Sequence, residues 1–165
     1  LFDQSDAKKA IYHCCKLAKA NNCRIALSLS DSFCVDRHRE ELCDLINKYV
    51  DIIFANETEI QSLYQSNLQE SLKKIREVVE IGAITLGSKG SIVFQNQVKN
   101  LVPAIIVNDP VDTTGAGDIF ASGFLFGLIN KYSIEDCGKL GSKVASDIIK
   151  YIGARPKISF KTFLN

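Results

Sequence analysis

Three short apolar runs, Arg24 to Leu29, Val50 to Ala55 and Ala83 to Leu86, are separated by stretches of helical periodicity. That alternation narrows the folds open to the chain, because strands alternating with helices form a parallel sheet with helices on both faces. Val50 to Ala55 is almost uninterrupted, as expected of a strand covered on both sides. Ser5 or Asp6 reads as the cap of a first helix running to about Asn21, with Ala7, Ala10, Ile11, Cys14, Leu17 and Ala18 on its inner stripe. A second helix follows the Ser30-Asp31-Ser32 turn, with Val35, Leu42, Leu45, Ile46 and Tyr49 inward and Cys34 in the core. Arg37, His38, Arg39 and Glu40 read as its solvated charged face. A third helix spans Leu68 to Glu80, with Leu72, Ile75, Val78 and Val79 inward. After Leu86, Gly87 to Gly90 turns the chain into Ser91 to Phe94, then through Asn96-Gln97 into an outer strand. The expectation is one α/β domain over residues 1–165, in three αβα layers.

Composition serves mainly to exclude. Charged residues make up 24% and apolar residues 46% of the 165, the balance of a globular protein rather than a disordered one. A net charge of +1 gives no case for nucleic acid or an acidic membrane as partner. No apolar run is long enough to span a bilayer, and no signal peptide opens the chain, so a cytoplasmic location is expected. The six cysteines lack C-x-x-C pairing and read as buried, reduced thiols; His13 and His38 sit in unrelated settings and suggest no metal cluster. The chain opens on Leu1 and contains no methionine, which reads as a fragment or processed piece.

The stretch Val111 to Phe120, V-D-T-T-G-A-G-D-I-F, is where chemistry concentrates. An extended apolar segment, Ala104 to Val107, leads into it, and the apolar run Ile119 to Ile129 follows. That run has almost no polar face, so it reads as a helix buried against the sheet. A glycine turn opening a helix suits an anion, since the first N–H groups lack intrahelical partners and the macrodipole is positive there. Gly115 and Gly117 allow unusual backbone conformation and close approach to a ligand. Asp118 has two readings: a first-turn acid favoured by the dipole, or a general base that takes a proton from a hydroxyl attacking a phosphate.

Two further stretches also have double readings. Asn56-Glu57-Thr58-Glu59 fits a capping box, with Asn56 at N-cap and Glu59 reaching back. It also lies at the C-terminal end of a parallel strand, where ligands bind in such sheets. Thr85-Leu86-Gly87-Ser88-Lys89-Gly90 is a hairpin turn by pattern alone. In the last helix, about Ile134 to Ile149, Gly141 and Ala145 are small enough to admit a flat ring or simply to permit close packing.

Taken together, D-T-T-G-A-G-D (Asp112 to Asp118), N-E-T-E and T-L-G-S-K-G resemble the signature elements of the PfkB/ribokinase family of sugar and nucleoside kinases. Within it, L-S-L-S-D-S-F (Leu27 to Phe33), Y-V-D-I-I-F-A-N-E-T-E (Tyr49 to Glu59) and G-S-K-V-A-S-D-I-I (Gly141 to Ile149) look most like adenosine kinases. The likeness runs in order along nearly the whole chain, but matches only the C-terminal half of such a kinase. The half that carries the lid strands and most acceptor contacts has no counterpart here.

The resemblance implies a ribokinase-like Rossmann-type fold and ATP-dependent transfer of a γ-phosphate to an alcohol, the 5′-OH if the acceptor is adenosine. It implies Asp118 as base and the N–H groups of Gly115, Ala116, Gly117 and Asp118 as an anion hole. Thr85 and Gly87 would hold the phosphates, with Lys89 near the nucleotide, and Ser142, Ala145 and Ser146 would flank adenine. Asn56 and Glu59 would order magnesium through water. Asp112 and Thr114, with carbonyls around Ile148, Tyr151 and Gly153, match a monovalent-cation region, so potassium is a candidate. Implied partners are ATP and a small nucleoside or sugar, with association to the other half or a homodimer in the complete enzyme. A ribose- or fructose-type sugar kinase is the alternative, as is a nucleotide-binding module without turnover. A dinucleotide oxidoreductase is disfavoured, because no G-x-G-x-x-G follows the first strand.

Overall fold

The computed structural model describes residues 2–157, 159 and 162. The chain divides into two compact units, Leu1–Gly82 and Ala83–Asn165.

The first unit holds α1 (Ser5–Ala20), β1 (Ala26–Ser28), α2 (Ser32–Arg37), α3 (Arg39–Tyr49), β2 (Ile52–Asn56), α4 (Glu57–Tyr64) and α5 (Leu68–Val78). β1 and β2 pair in parallel, Ala26 opposite Ile52. Ile53, Ile60, Leu45, Ile46 and Ile75 are fully buried around them. Asp51, the polar break in the apolar run, ties this unit together at the base of β2. Its carboxylate accepts from Lys19 Nζ at 2.7 Å and from the Ile25 N–H at 2.8 Å, and its carbonyl accepts from the Ile81 N–H at 3.2 Å.

Several expectations shift here. α1 is capped at Gln4 with no side-chain bond, so Ser5 and Asp6 lie inside the first turn instead of capping it. The second helix is two, broken at His38 (φ −123°, ψ 26°). The break has a cause: His38 Nε2 lies 2.9 Å from Asp3 Oδ1, its Nδ1 lies 3.1 Å from Glu41 Oε2, and Arg37 grips Asp3 through two bonds. The charged run is therefore partly a tether for the amino-terminal segment, with Phe2 buried against the His38 ring. Cys34 is half-buried, and Val78 is exposed while Val79 just beyond α5 is buried. All six cysteines are free, but only Cys15 and Cys137 are buried.

The second unit begins within β3 (Ile81–Thr85) and continues through a 3₁₀ turn (Gly87–Lys89), β4 (Ser91–Gln95), β5 (Val98–Val102), α6 (Ala116–Ile129) and α7 (Ile134–Ile148). β4 and β5 form an antiparallel hairpin, Ser91 opposite Val102, turning at Asn96 as expected (φ 52°). α7 lies on this hairpin so closely that a Cβ at Gly138 would sit 2.8 Å from Val93 Cγ1. Ala104 to Val107 forms no strand. No helix of the described residues is long and apolar enough to cross a membrane.

Two stability outcomes follow. Ser133 caps α7 by accepting from the Asp136 N–H at 3.1 Å, so Ser133→Ala should cost about 1 kcal/mol in urea denaturation. The Arg37 guanidinium, and then His38, hold the Asp3 carboxyl at about 2 instead of 3.8. A depressed carboxyl stabilises the fold above roughly pH 4 and ceases to as pH falls through its folded value. The urea midpoints of wild type and Asp3→Asn should therefore differ at pH 5 and converge near pH 2.

Candidate active site

The glycine turn opens α6 through a left-handed residue. Gly115 has φ 77°, and a Cβ there would lie 2.6 Å from the Ala154 Cβ, so conformation and space both require glycine. The approach to the turn is fixed by Asp112. One of its carboxylate oxygens accepts from the Thr114 N–H at 2.8 Å and the other from the Gly153 N–H at 2.9 Å. The Thr114 hydroxyl first, then the Gly153 and Thr114 N–H groups, hold the Asp112 carboxyl below the usual range. The N–H groups of Val111 and Asp112 meanwhile both reach the carbonyl of Ile149, the first at 2.8 Å.

At the helix start, the Ala116 N–H is taken by the Thr113 carbonyl at 3.1 Å. Among the described residues, no backbone carbonyl takes the N–H groups of Gly115, Gly117 and Asp118. The free donors are thus narrower than the expected Gly115-to-Asp118 set. Asp118 is exposed, and α6 has no side-chain cap bond, so its carboxylate is not spent on a reciprocal cap. A Cβ on Gly117 would meet nothing within 4 Å, which leaves that face of the first turn open.

What it opens onto is a cavity of about 370 Å³, within the range of small-molecule sites. One wall is the hairpin turn, Thr85, Gly87 and Ser88; another is α7, through Ser142, Ala145 and Ser146; Ala116 and Gly117 form a third. Gly90 shapes the first wall: its φ is 100°, and a Cβ would fall 2.0 Å from the Val102 carbonyl oxygen. Of the residues singled out in the sequence, seven meet around this one space. Lys89 is not among its lining residues.

The coil between β5 and α6 supplies what sequence reasoning missed. Ala104, Ile105, Ile106 and Val107 line the cavity, and Ile106 is 81% exposed. A β-like apolar run was the only signal. It marked apolar surface without telling that the surface faces a cavity instead of a core.

In the other unit, Asn56 and Glu59 form the full capping box. Asn56 Oδ1 accepts from the Glu59 N–H, and the two Glu59 oxygens accept from the Asn56 N–H and Nδ2, all at 2.8 Å. Glu59 is buried; that burial pushes its carboxyl upward, the Asn56 N–H opposes the rise, and the Asp31 charge adds to it. No group of three metal-type side chains occurs among the described residues.

A family model described as pfkB family carbohydrate kinase matches residues 1–160. The chain belongs to the PfkB family. A probable sugar kinase from Rhizobium etli CFN 42 is 44% identical with a TM-score of 0.91, covering 95% of this chain and 48% of that one. The adenosine kinase from Sinorhizobium meliloti is 40% identical, also at 0.91, covering 96% and 49%. The adenosine kinase of Dictyostelium discoideum is 32% identical over 167 residues, 90% of this chain and 49% of that protein. These likenesses give this PfkB chain part of the ribokinase-like αβα fold. It spans about half the length, or less, of the curated relatives it matches.

The two glycines of this PfkB turn should respond differently to alanine. Gly115→Ala should destabilise the protein by about 1–3 kcal/mol, the cost of forcing a side chain into a left-handed, crowded position. Gly117→Ala should leave the melting temperature unchanged or raise it, since alanine favours a helix by about 1 kcal/mol, yet weaken binding of a phosphate-bearing ligand. Calorimetric unfolding and ligand titration of both variants check the contrast.

Proposed function

We propose that the chain is the nucleotide-handling part of an ATP-dependent kinase that transfers a γ-phosphate to an alcohol, first of all the 5′-OH of adenosine. The observation that carries this reading is the meeting of three features at the start of α6. They are an exposed Asp118 carboxylate, three unclaimed N–H groups and the cavity beside them.

Phosphoryl transfer asks mainly for positioning and for stabilised charge on the phosphate oxygens. Asp118 accepts the proton of the acceptor hydroxyl as its oxygen bonds to the γ-phosphorus and the bond to the departing ADP breaks. The N–H groups of Gly115, Gly117 and Asp118 hold the γ-phosphate oxygens, that of Ala116 being taken by Thr113. Thr85 and Gly87 hold the remaining phosphates, and the small α7 face of Ser142, Ala145 and Ser146 admits the adenine ring. Magnesium, when bound, would supply positive charge that offsets the charge on the nucleotide phosphates. Asn56 and Glu59 fit a water-mediated role toward it, because both Glu59 oxygens already accept hydrogen bonds and Mg²⁺ keeps much of its hydration. Asp112, ionised and engaged by two N–H groups, fits an electrostatic neighbour of a potassium ion more than a direct ligand.

Adenosine is favoured by the Leu27-to-Phe33 and Tyr49-to-Glu59 stretches and by 40% identity to the Sinorhizobium meliloti adenosine kinase. A sugar acceptor is the second reading, supported by 44% identity to the Rhizobium etli probable sugar kinase. Alone, the chain should bind Mg·ATP without turnover.

In a polypeptide that includes the other half of the fold, Asp118→Asn should lower turnover about a thousandfold or more while ATP affinity changes little. Phosphate transfer to adenosine, ribose and fructose, measured on both proteins, checks base and acceptor together. Turnover kept within about tenfold would remove Asp118 as the base.

A further inference from the structure

α1 meets the break between α2 and α3 at a cluster of charges closed around one histidine. His38 presents Nε2 to Asp3 Oδ1 at 2.9 Å and Nδ1 to Glu41 Oε2 at 3.1 Å, while Lys8 Nζ approaches the same Nδ1 at 3.2 Å. Lys8 also bonds Glu41 Oε2 at 2.5 Å and lies 5.3 Å from the centroid of the Phe2 ring, which packs edge-on against His38. Every element around the imidazole sends a charged or titratable group. Asp3 comes from the segment before α1, Lys8 from α1, Arg37 and Cys34 from α2, and Glu41 from α3. Tyr12 of α1 donates its hydroxyl to the Glu41 carbonyl at 3.1 Å, and Lys9, His13 and Lys16 line the groove beside Lys8 and Glu41.

Three partners compete for one ring. A neutral imidazole has a single N–H, so it cannot donate to both carboxylates, whereas the imidazolium can. With its proton on Nε2, the neutral ring donates to Asp3, and the bare Nδ1 accepts from Lys8, which keeps its ion pair with Glu41. Lys8 and Arg37 then face Asp3 and Glu41, and the charges of the cluster balance. A proton taken from solvent onto Nδ1 makes that atom a donor to Glu41. It also removes the acceptor of Lys8 and sets two positive charges against each other. Histidine is the side chain that makes such a change between about pH 5 and 8. We infer that His38 is a proton-operated switch on the hold of α1. Its neutral ring accepts from Lys8 and ties α1 to the α2–α3 break; its charged ring gives Nδ1–H to Glu41 and releases Lys8. The inference stands apart from the kinase reading, since none of its groups belongs to the proposed phosphate site.

Nitrogen NMR of the whole chain, followed from about pH 5 to about pH 8.5, reads the switch directly. His13, exposed on the same helix, is the internal reference. The neutral His38 ring should carry its proton on Nε2, and the Lys8 and Glu41 side-chain signals should change with the His38 midpoint and not with that of His13. Hydrogen exchange over residues 8–12, corrected for the intrinsic effect of pH, should be about fivefold faster at the acid end, the loss of one hydrogen bond to a charged group. Lys8→Met keeps an apolar stem beside Phe2 but removes the ammonium. It should abolish that difference in exchange and move the His38 midpoint to higher pH. Circular dichroism checks its folding, and where Lys8→Met does not fold, the wild-type tautomer and Lys8 signals decide alone. A neutral ring protonated on Nδ1, Lys8 signals that ignore the His38 midpoint, or an exchange difference that persists in folded Lys8→Met would each overturn the proposal.

Discussion

α6 and α7 approach each other at distances that only glycine permits, and the geometry of the second unit depends on that contact. A Cβ on Gly123 would lie 2.6 Å from Val144 Cγ2, and one on Gly141 would lie 2.9 Å from the Phe120 carbonyl oxygen. Gly127 meets Cys137 at 3.1 Å by the same measure, and burial pushes that thiol up to about 11, so it packs as a neutral group. Ile119, Leu140, Val144 and Ile148 fill the space between the helices. With the two helices held this close, the small residues of α7 and the first turn of α6 face the same cavity. Asp112 then ties the incoming strand of coil to the chain beyond α7, which aims the turn.

Three carboxylates show how environment assigns different work to one chemical group. Glu59 is buried and fully engaged by Asn56, which makes it first of all the end of a strand and the start of a helix. Asp112 is ionised and bonded to two backbone N–H groups, which makes it a clamp. Asp118 is exposed at the positive end of a helix dipole, among three free N–H donors, and holds nothing in place. An acid without a structural bond at such a point is available for chemistry. That difference, more than the identity of the motif, separates the proposed base from its neighbours.

Much of this was legible beforehand. The capping box at Asn56 and Glu59, the hairpin turn at Asn96 and the helices over α5 and α7 were readable because each depends on residues a few positions apart. Other features were not, because they depend on partners far along the chain. α2 and α3 are separate helices through a contact between His38 and Asp3, 35 residues away. Ala104 to Val107 has the composition of a strand but lines a cavity, since nothing local says whether apolar surface will meet a core or a void. α6 looked wholly buried from its composition, and the structure covers only one of its faces.

The sequence by itself determined most of the elements, the family and the residue types able to handle phosphate, because spacing, capping and glycine placement act within a turn or two. The tertiary structure decided which of those residues share a space. Thr85, Gly117 and Ser142 come from three separate elements and meet only once the hairpin and both helices have packed. It also decided which N–H groups remain free at the helix start, since Ala116 spends its own on Thr113 while Gly115, Gly117 and Asp118 do not. A motif supplies donors and acids; only packing determines which of them are left without a partner.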